Sequence, residues 1–312
     1  MRLLPALALA LVLAAPAAAQ DAPEPPTPAS VVAAAPASDW RAIDPADLLV
    51  MTLAPDRDGK ARQVVIQLLP PPFSQGWVGN IHTFAKAHWW DGTSVYRVVD
   101  NWVAQWGDAD ETKPLPEGLR EVPESEYASL PGDSTLQELV ADLAAAEYPE
   151  LFDPYSLGTG HWNGWPFATD QRHVWPVHCY GSVGVARSTD TTGTGAELYA
   201  VIGHAPRQLD RNIAVVGRVI EGIEHLSTLP RGKGEAGVYD DEALRVPIVS
   251  VRLGNEVPEL PQPVFEYLAS DSDSFAEYVR VRANRSDAFY KVPAGGIDVC
   301  NVQVPIRRVP SE

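Results

Sequence analysis

The 312-residue chain has only two cysteines, Cys179 and Cys300, and two methionines. That is too few thiols for a disulfide-built scaffold or a cysteine-ligated metal cluster. Basic residues are scarce as well. Lys and Arg number 24 against 41 Asp and Glu, for a formal net charge of −17. With no long basic run to offset it, this acidity disfavours nucleic acid and anionic lipid as partners. His173 and His178 are five apart and His82 and His88 six apart, and neither pair sits in an HExxH pattern. No metal and no cofactor is therefore expected. A G-x-S-x-G elbow is missing too, so a hydrolase is unsupported and Ser182 reads as a strand residue. Gly193-Thr194-Gly195 is too short for a phosphate loop. No apolar run is long enough for a good membrane span.

The longest apolar run, Leu3–Leu13, follows Arg2 and precedes Ala17-Ala18-Ala19. Positive start, apolar stretch and small residues in that order describe a cleaved signal peptide over 1–19. The expectation is export, to a bacterial periplasm, with Gln20 as the new N-terminus and no span after cleavage. Residues 20–40 are rich in Pro and Ala and read as a flexible linker. The compartment allows a disulfide between Cys179 and Cys300, although their distance in sequence leaves two free thiols equally open.

Leu48–Leu53 and Gln63–Leu69 read as a hairpin turning at Asp58-Gly59. Trp77–His88 carries helical spacing. Strand character returns at Gly181–Ala186, Glu197–Ile202, Ile213–Val219, Val246–Leu253 and Val299–Ile306. Short helices are expected at Ile220–Leu229 and Ser272–Arg282. Residues 109–178 are rich in Pro, Gly and acids and read as a long insertion. It holds one helix, Leu136–Glu147, and a Trp162, Trp165 and Trp175 subcluster. Many short strands with few helices indicate a mainly β fold, a closed antiparallel barrel with flanking helices. The barrel domain is placed at 46–254, and 255–312 is a C-terminal extension packed on it.

The stretch Tyr96–Asp108 is the most informative. It places an arginine, Arg97, and an amide, Gln105, over apolar residues, without a nucleophile or an acid–base pair. Asp91-Gly92-Thr93-Ser94-Val95-Tyr96-Arg97 through Gln105-Trp106-Gly107-Asp108 resembles the cyclophilin pattern DGT-x-F-H-R-V followed by G-F-x-x-Q-G-G-D. Gly181–Arg187, Leu209-Asp210 and Val216–Gly222 match a second block in the same order. The chain thus resembles a cyclophilin-type peptidyl-prolyl cis-trans isomerase: an exported, divergent bacterial member with a long insertion.

The resemblance implies a role for each matching position. Arg97 stands at the catalytic arginine and Gln105 at the pocket glutamine. Trp102, Val103, Tyr199 and Leu209 fall on proline-pocket walls, and Ala186 on the peptide groove. Arg187, Glu197 and Ile213 replace the family's asparagine, glutamine and histidine at substrate-binding positions. The implied partners are proline-containing segments of exported proteins, handled by a monomer.

Rotation about a peptide bond faces a barrier of about 18–20 kcal/mol from resonance. No bond breaks, so a catalyst needs only to favour the twisted state over both planar ones. A guanidinium can donate to the nitrogen lone pair that twisting localises. Two other functions fit the same residues. One is a catalytically weak proline-peptide-binding module, chaperone or scaffold. The other is a structural domain whose pocket is filled by its own insertion.

Overall fold

The computed structural model describes residues 24–129, 137–138, 140–141, 153–257 and 265–309. The signal segment 1–19 and most of the expected Leu136–Glu147 helix lie outside the described residues.

The first described elements correct the expectation of a flexible linker over 20–40. Pro28–Ala34 is a helix, α1, followed by strand β1, Trp40–Ala42. Pro28 suits the first helical turn, and Thr27 caps it through a hydrogen bond from the Ser30 N–H. Val31 and Val32 then pack against Trp40 and residues far along the chain. Composition alone hides this helix, because its apolar face has no local partner.

The barrel begins with β2, Leu48–Leu53, and β3, Arg62–Leu68, followed by helix α2, Gln75–Lys86. β4, Ser94–Val98, and β5, Val103–Gly107, come next. Residues expected to form a loop-like insertion instead contain three strands, β6 (Gly158–Trp162), β7 (Trp165–Thr169) and β8 (Val174–Pro176). These form their own sheet in the order β6-β7-β8. Trp162 and Trp165 pack with Phe73 and Phe167, whereas Trp175 joins Val177 and Cys179. The three indoles therefore serve two clusters, not one.

β9, Ser182–Val185, β10, Leu198–Val201, and β11, Val215–Glu221, follow. The helix expected at Ile220–Leu229 shrinks to α3, Glu224–Ser227, because β11 keeps pairing with β3 through Glu221. β12, Val246–Leu253, completes the barrel, which closes in the order β10-β5-β4-β12-β2-β3-β11-β9 with antiparallel pairs throughout.

The extension contributes β13, Phe265–Leu268, helix α4, Asp273–Ala283, and β14, Ile306–Arg308. Ser272 caps α4 through the Phe275 N–H. The strand expected at Val299–Ile306 is mostly absent. Val299–Asn301 forms a 3₁₀ turn held by Asp298, which accepts from the Cys300 N–H at 2.8 Å. β13 lies between β1 and β14, so the two ends of the described chain build one sheet. Cys179 and Cys300 are joined by a disulfide that fastens this extension to the barrel.

Closure explains the apolar runs. Alternate residues Leu49, Met51, Leu53, Val64, Ile66 and Leu68 fill the barrel with Trp106 and Phe84. The opposite face of the same hairpin is also dry, since Leu48 and Val65 pack under Phe265. A strand buried on both faces reads as a continuous apolar run rather than an alternation. Among the described residues no helix is long and apolar enough to cross a membrane.

Candidate functional site

Because barrel-filling side chains occupy one face of each strand, their neighbours in sequence point outward. Register aligns four of these across adjacent strands. Arg97 on β4 pairs with Gln105 on β5, Gln105 with Tyr199 on β10, and Tyr199 with Gly184 on β9. A register shift between Val95 and Arg97 puts the arginine in this row. All ten residues assigned to catalysis or substrate binding from the sequence line one cavity of about 1200 Å³ beside it.

The apolar part of the wall includes Val103 and Tyr199, with Trp102, Ala186 and Ile213 packed against them. Trp102 belongs to the turn ahead of β5, where its N–H donates to the Val99 carbonyl at 3.2 Å. Leu209 reaches the cavity from a 3₁₀ turn, Arg207–Leu209. Arg187 has its guanidinium on backbone, donating to the Asn212 carbonyl at 3.0 Å and to the Ser188 carbonyl at 2.9 Å. The near part of the insertion forms another wall through Leu115, Leu119 and Val122.

Arg97 is held on two sides. Its Nε donates to the Ala236 carbonyl at 2.7 Å and its Nη1 to Gln105 Oε1 at 2.9 Å. Nη2 has no partner, and no carboxylate pairs with Arg97, among the described residues. Burial lowers the Arg97 pKa from its ordinary value. A partly dehydrated cation without a counter-ion is a strong donor towards a ligand.

Behind it runs a relay that the sequence did not reveal. Gln105 Nε2 donates to the Tyr96 hydroxyl at 2.6 Å, and Tyr96 donates to Glu197 Oε2 at 2.7 Å. Glu197 Oε1 accepts from the Asp108 N–H at 2.7 Å. Glu197, expected to bind substrate, thus directs its carboxylate at Tyr96 and the backbone. Gly107 makes this possible, since a side chain there would collide with that carboxylate. Burial raises the Glu197 carboxyl above its ordinary range, against hydrogen bonds from Tyr96 and Asp108 that lower it. Burial and the Glu197 charge both raise the Tyr96 phenol, so it stays a donor. The available clue was that Tyr96 and Glu197 both depart from the family pattern, and the fold brings them together.

A second network anchors Tyr199. Its hydroxyl meets His178 Nε2 at 2.9 Å, and His178 Nδ1 meets Asp210 Oδ1 at 2.9 Å. Arg207 bridges Asp210, at 2.6 Å, to Asp153 in the insertion, at 2.8 and 3.0 Å. Burial alone would raise the Asp210 carboxyl, but His178 and Arg207 hold it below its ordinary value. Gly184 leaves room for the Tyr199 ring, because a side chain there would strike it. Nothing in the local sequence marks His178 or Asp153, which lie 21 and 54 positions from their partners.

The model of the cyclophilin type peptidyl-prolyl cis-trans isomerase/CLD family matches residues 76–253, more than half of the chain. The chain belongs to the cyclophilin family. It is an enzyme of the peptidyl-prolyl cis-trans isomerase class. Among solved structures, the chain is similar to the cyclophilin AquaCyp293 from Hirschia baltica. That match has 22% identity and a TM-score of 0.62, covering 92% of this chain and 99% of that one. It supports the closed-barrel fold and extends over the added segments. A cyclophilin-type isomerase of Cryptosporidium parvum matches with 14% identity and a TM-score of 0.38, covering 66% of this chain and 96% of that one. No curated protein sequence matches the chain. No group of three or more possible metal ligands occurs among the described residues of this cyclophilin.

The raised Glu197 carboxyl has a signed consequence. A group whose pKa rises on folding stabilises below its unfolded value, about 4.3 for glutamate. That contribution is lost as pH rises through the folded value. The melting temperature of Glu197→Gln relative to the wild type is therefore expected to fall as pH drops from 7 towards 4, from an offset that includes the one hydrogen bond the amide cannot accept. Thermal melts across that range check this, and a relative melting temperature that rises on acidification would contradict it.

Proposed function

We propose that this cyclophilin isomerises X-Pro bonds by arginine-assisted stabilisation of the twisted amide. The observation that carries this is Arg97, a cation without an acidic partner among the described residues, beside the Val103, Tyr199 and Leu209 part of the cavity wall. The proline ring sits against Val103, Tyr199 and Leu209, with Trp102 at the rim. The carbonyl before it then turns while the ring stays fixed. As resonance is lost, the proline nitrogen becomes a hydrogen-bond acceptor, and Arg97 Nη2 donates to it. Neither planar state offers that lone pair, so the interaction is confined to the transition state. Gln105 holds the guanidinium plane in place, which avoids reorganisation during the turn.

Relaxation of a short cis X-Pro peptide, followed with the mature protein, tests the proposal. Arg97→Ala is expected to lower kcat by roughly 10²–10³-fold, the usual scale for removing one such donor. Arg97→Lys should recover little, since lysine lacks the planar fork. A wild type no faster than the spontaneous reaction would sink the enzymatic mechanism. Peptide binding retained without acceleration would instead favour a binding module.

We also propose that its clients are proline-containing segments of exported proteins, met by a monomer in the periplasm. The charged start, apolar run and small residues of 1–19 support export. Intact mass of the protein recovered from a bacterial periplasm is expected to begin at Gln20. Retention in the cytoplasm with residues 1–19 attached would contradict export.

A further inference from the structure

A second cavity has a volume of about 1130 Å³. It sits between barrel strand β11, helix α1 and the sheet built by the chain ends. It shares no residue with the cavity at Arg97. Its size is at or slightly above the usual ligand-pocket range, roughly 300–1,000 Å³. Much of the wall is apolar, with Val32, Val215, Val219 and Val302 among the residues facing it.

Charge distinguishes it. The walls carry four arginines, Arg218, Arg282, Arg285 and Arg307, and no Asp or Glu among the described residues. This happens in a chain with 41 acidic and 24 basic residues. Arg285 and Arg307 have nearby carboxylates, Asp287 and Glu266. The other two have none among the described residues. Arg218 donates to neutral oxygens only, to Gln67 Oε1 at 2.8 and 3.0 Å and to the Gly164 carbonyl at 2.6 Å. These bonds use three of its five N–H donors. Burial pushes its guanidinium down to about 9. Arg282 lies over the Tyr278 ring, 5.6 Å from its centre, and its Nε makes no hydrogen bond.

A buried guanidinium at Arg218 and a half-buried one at Arg282, neither with a carboxylate, are costly unless an anion joins them. The charge calls for an anionic head and the wall for an apolar body. We propose that this cavity binds a small amphiphilic carboxylate, with its head at Arg218 and Arg282 and its chain along the valine-rich wall. The site is separate from isomerisation and does not rest on the mechanism assigned to Arg97.

Calorimetric titration of the full chain with decanoate, below its micellar range, tests this. Saturable binding at one site per chain is expected, with decanol and decyltrimethylammonium each at least tenfold weaker. Arg218→Gln combined with Arg282→Gln should weaken decanoate by tenfold or more and leave X-Pro isomerisation unchanged. If the double variant does not fold, Arg282→Gln alone and the head-group series on the wild type decide the matter. No saturable decanoate binding, equal binding of decanol, or unaltered affinity in a folded variant would overturn the proposal. So would binding of an apolar peptide with a free C-terminus where decanoate fails.

Discussion

The cross-strand row Arg97, Gln105, Tyr199 and Gly184 is the constraint on which the site depends. It exists because the barrel closes. Leu49, Met51, Ile66, Trp106 and their neighbours must fill the interior, and that fixes which face every other side chain takes. A slip of one residue in β5 would turn Gln105 inward and Trp106 out to water. The hydrophobic filling therefore sets the register, and the register sets the distance from guanidinium to amide. Both central donors stand on strands, a property that favours positional accuracy, and one turn adds the Ala236 carbonyl that holds Arg97 Nε.

Two polar networks support this row from opposite ends. Gln105, Tyr96 and Glu197 orient the cation, while His178, Asp210, Arg207 and Asp153 hold the hydroxyl of a pocket wall. Both are partly or fully removed from water, where a satisfied network rigidifies and an unsatisfied one is costly. The second also ties the insertion to the pocket through Asp153. The disulfide lies one residue from His178, and the Cys300 sulfur is 3.6 Å from the His178 carbonyl. The added segments thereby connect physically to the cavity beside Arg97 rather than hanging from the barrel.

Much of the barrel was legible because its signals are local. Leu48–Leu53 and Val246–Leu253 are observed with the bounds their apolar and β-branched runs suggest. The ordered outer elements were harder to see. Val31 and Val32 find a core to pack against only when α4 and β13 arrive from more than 200 positions away. The strand expected at Val299–Ile306 yields because Asp298 captures the Cys300 N–H and starts a turn. At the site, positions matched to a family motif could be named one by one. Partnerships could not, since Tyr96 and Glu197 meet across 101 positions.

In the proposed mechanism Arg97 acts from a geometry fixed in advance by Gln105 and the groups behind it. Tyr96→Phe keeps the ring and removes only the hydroxyl that joins Gln105 to Glu197. Its kcat and KM on an X-Pro peptide, measured beside the wild type, are the most direct test. A fall in kcat of about tenfold is expected, about 1.4 kcal/mol for the loss of the bond by which the hydroxyl steadies Gln105, with KM little changed. A Tyr96→Phe enzyme with wild-type kcat would contradict it.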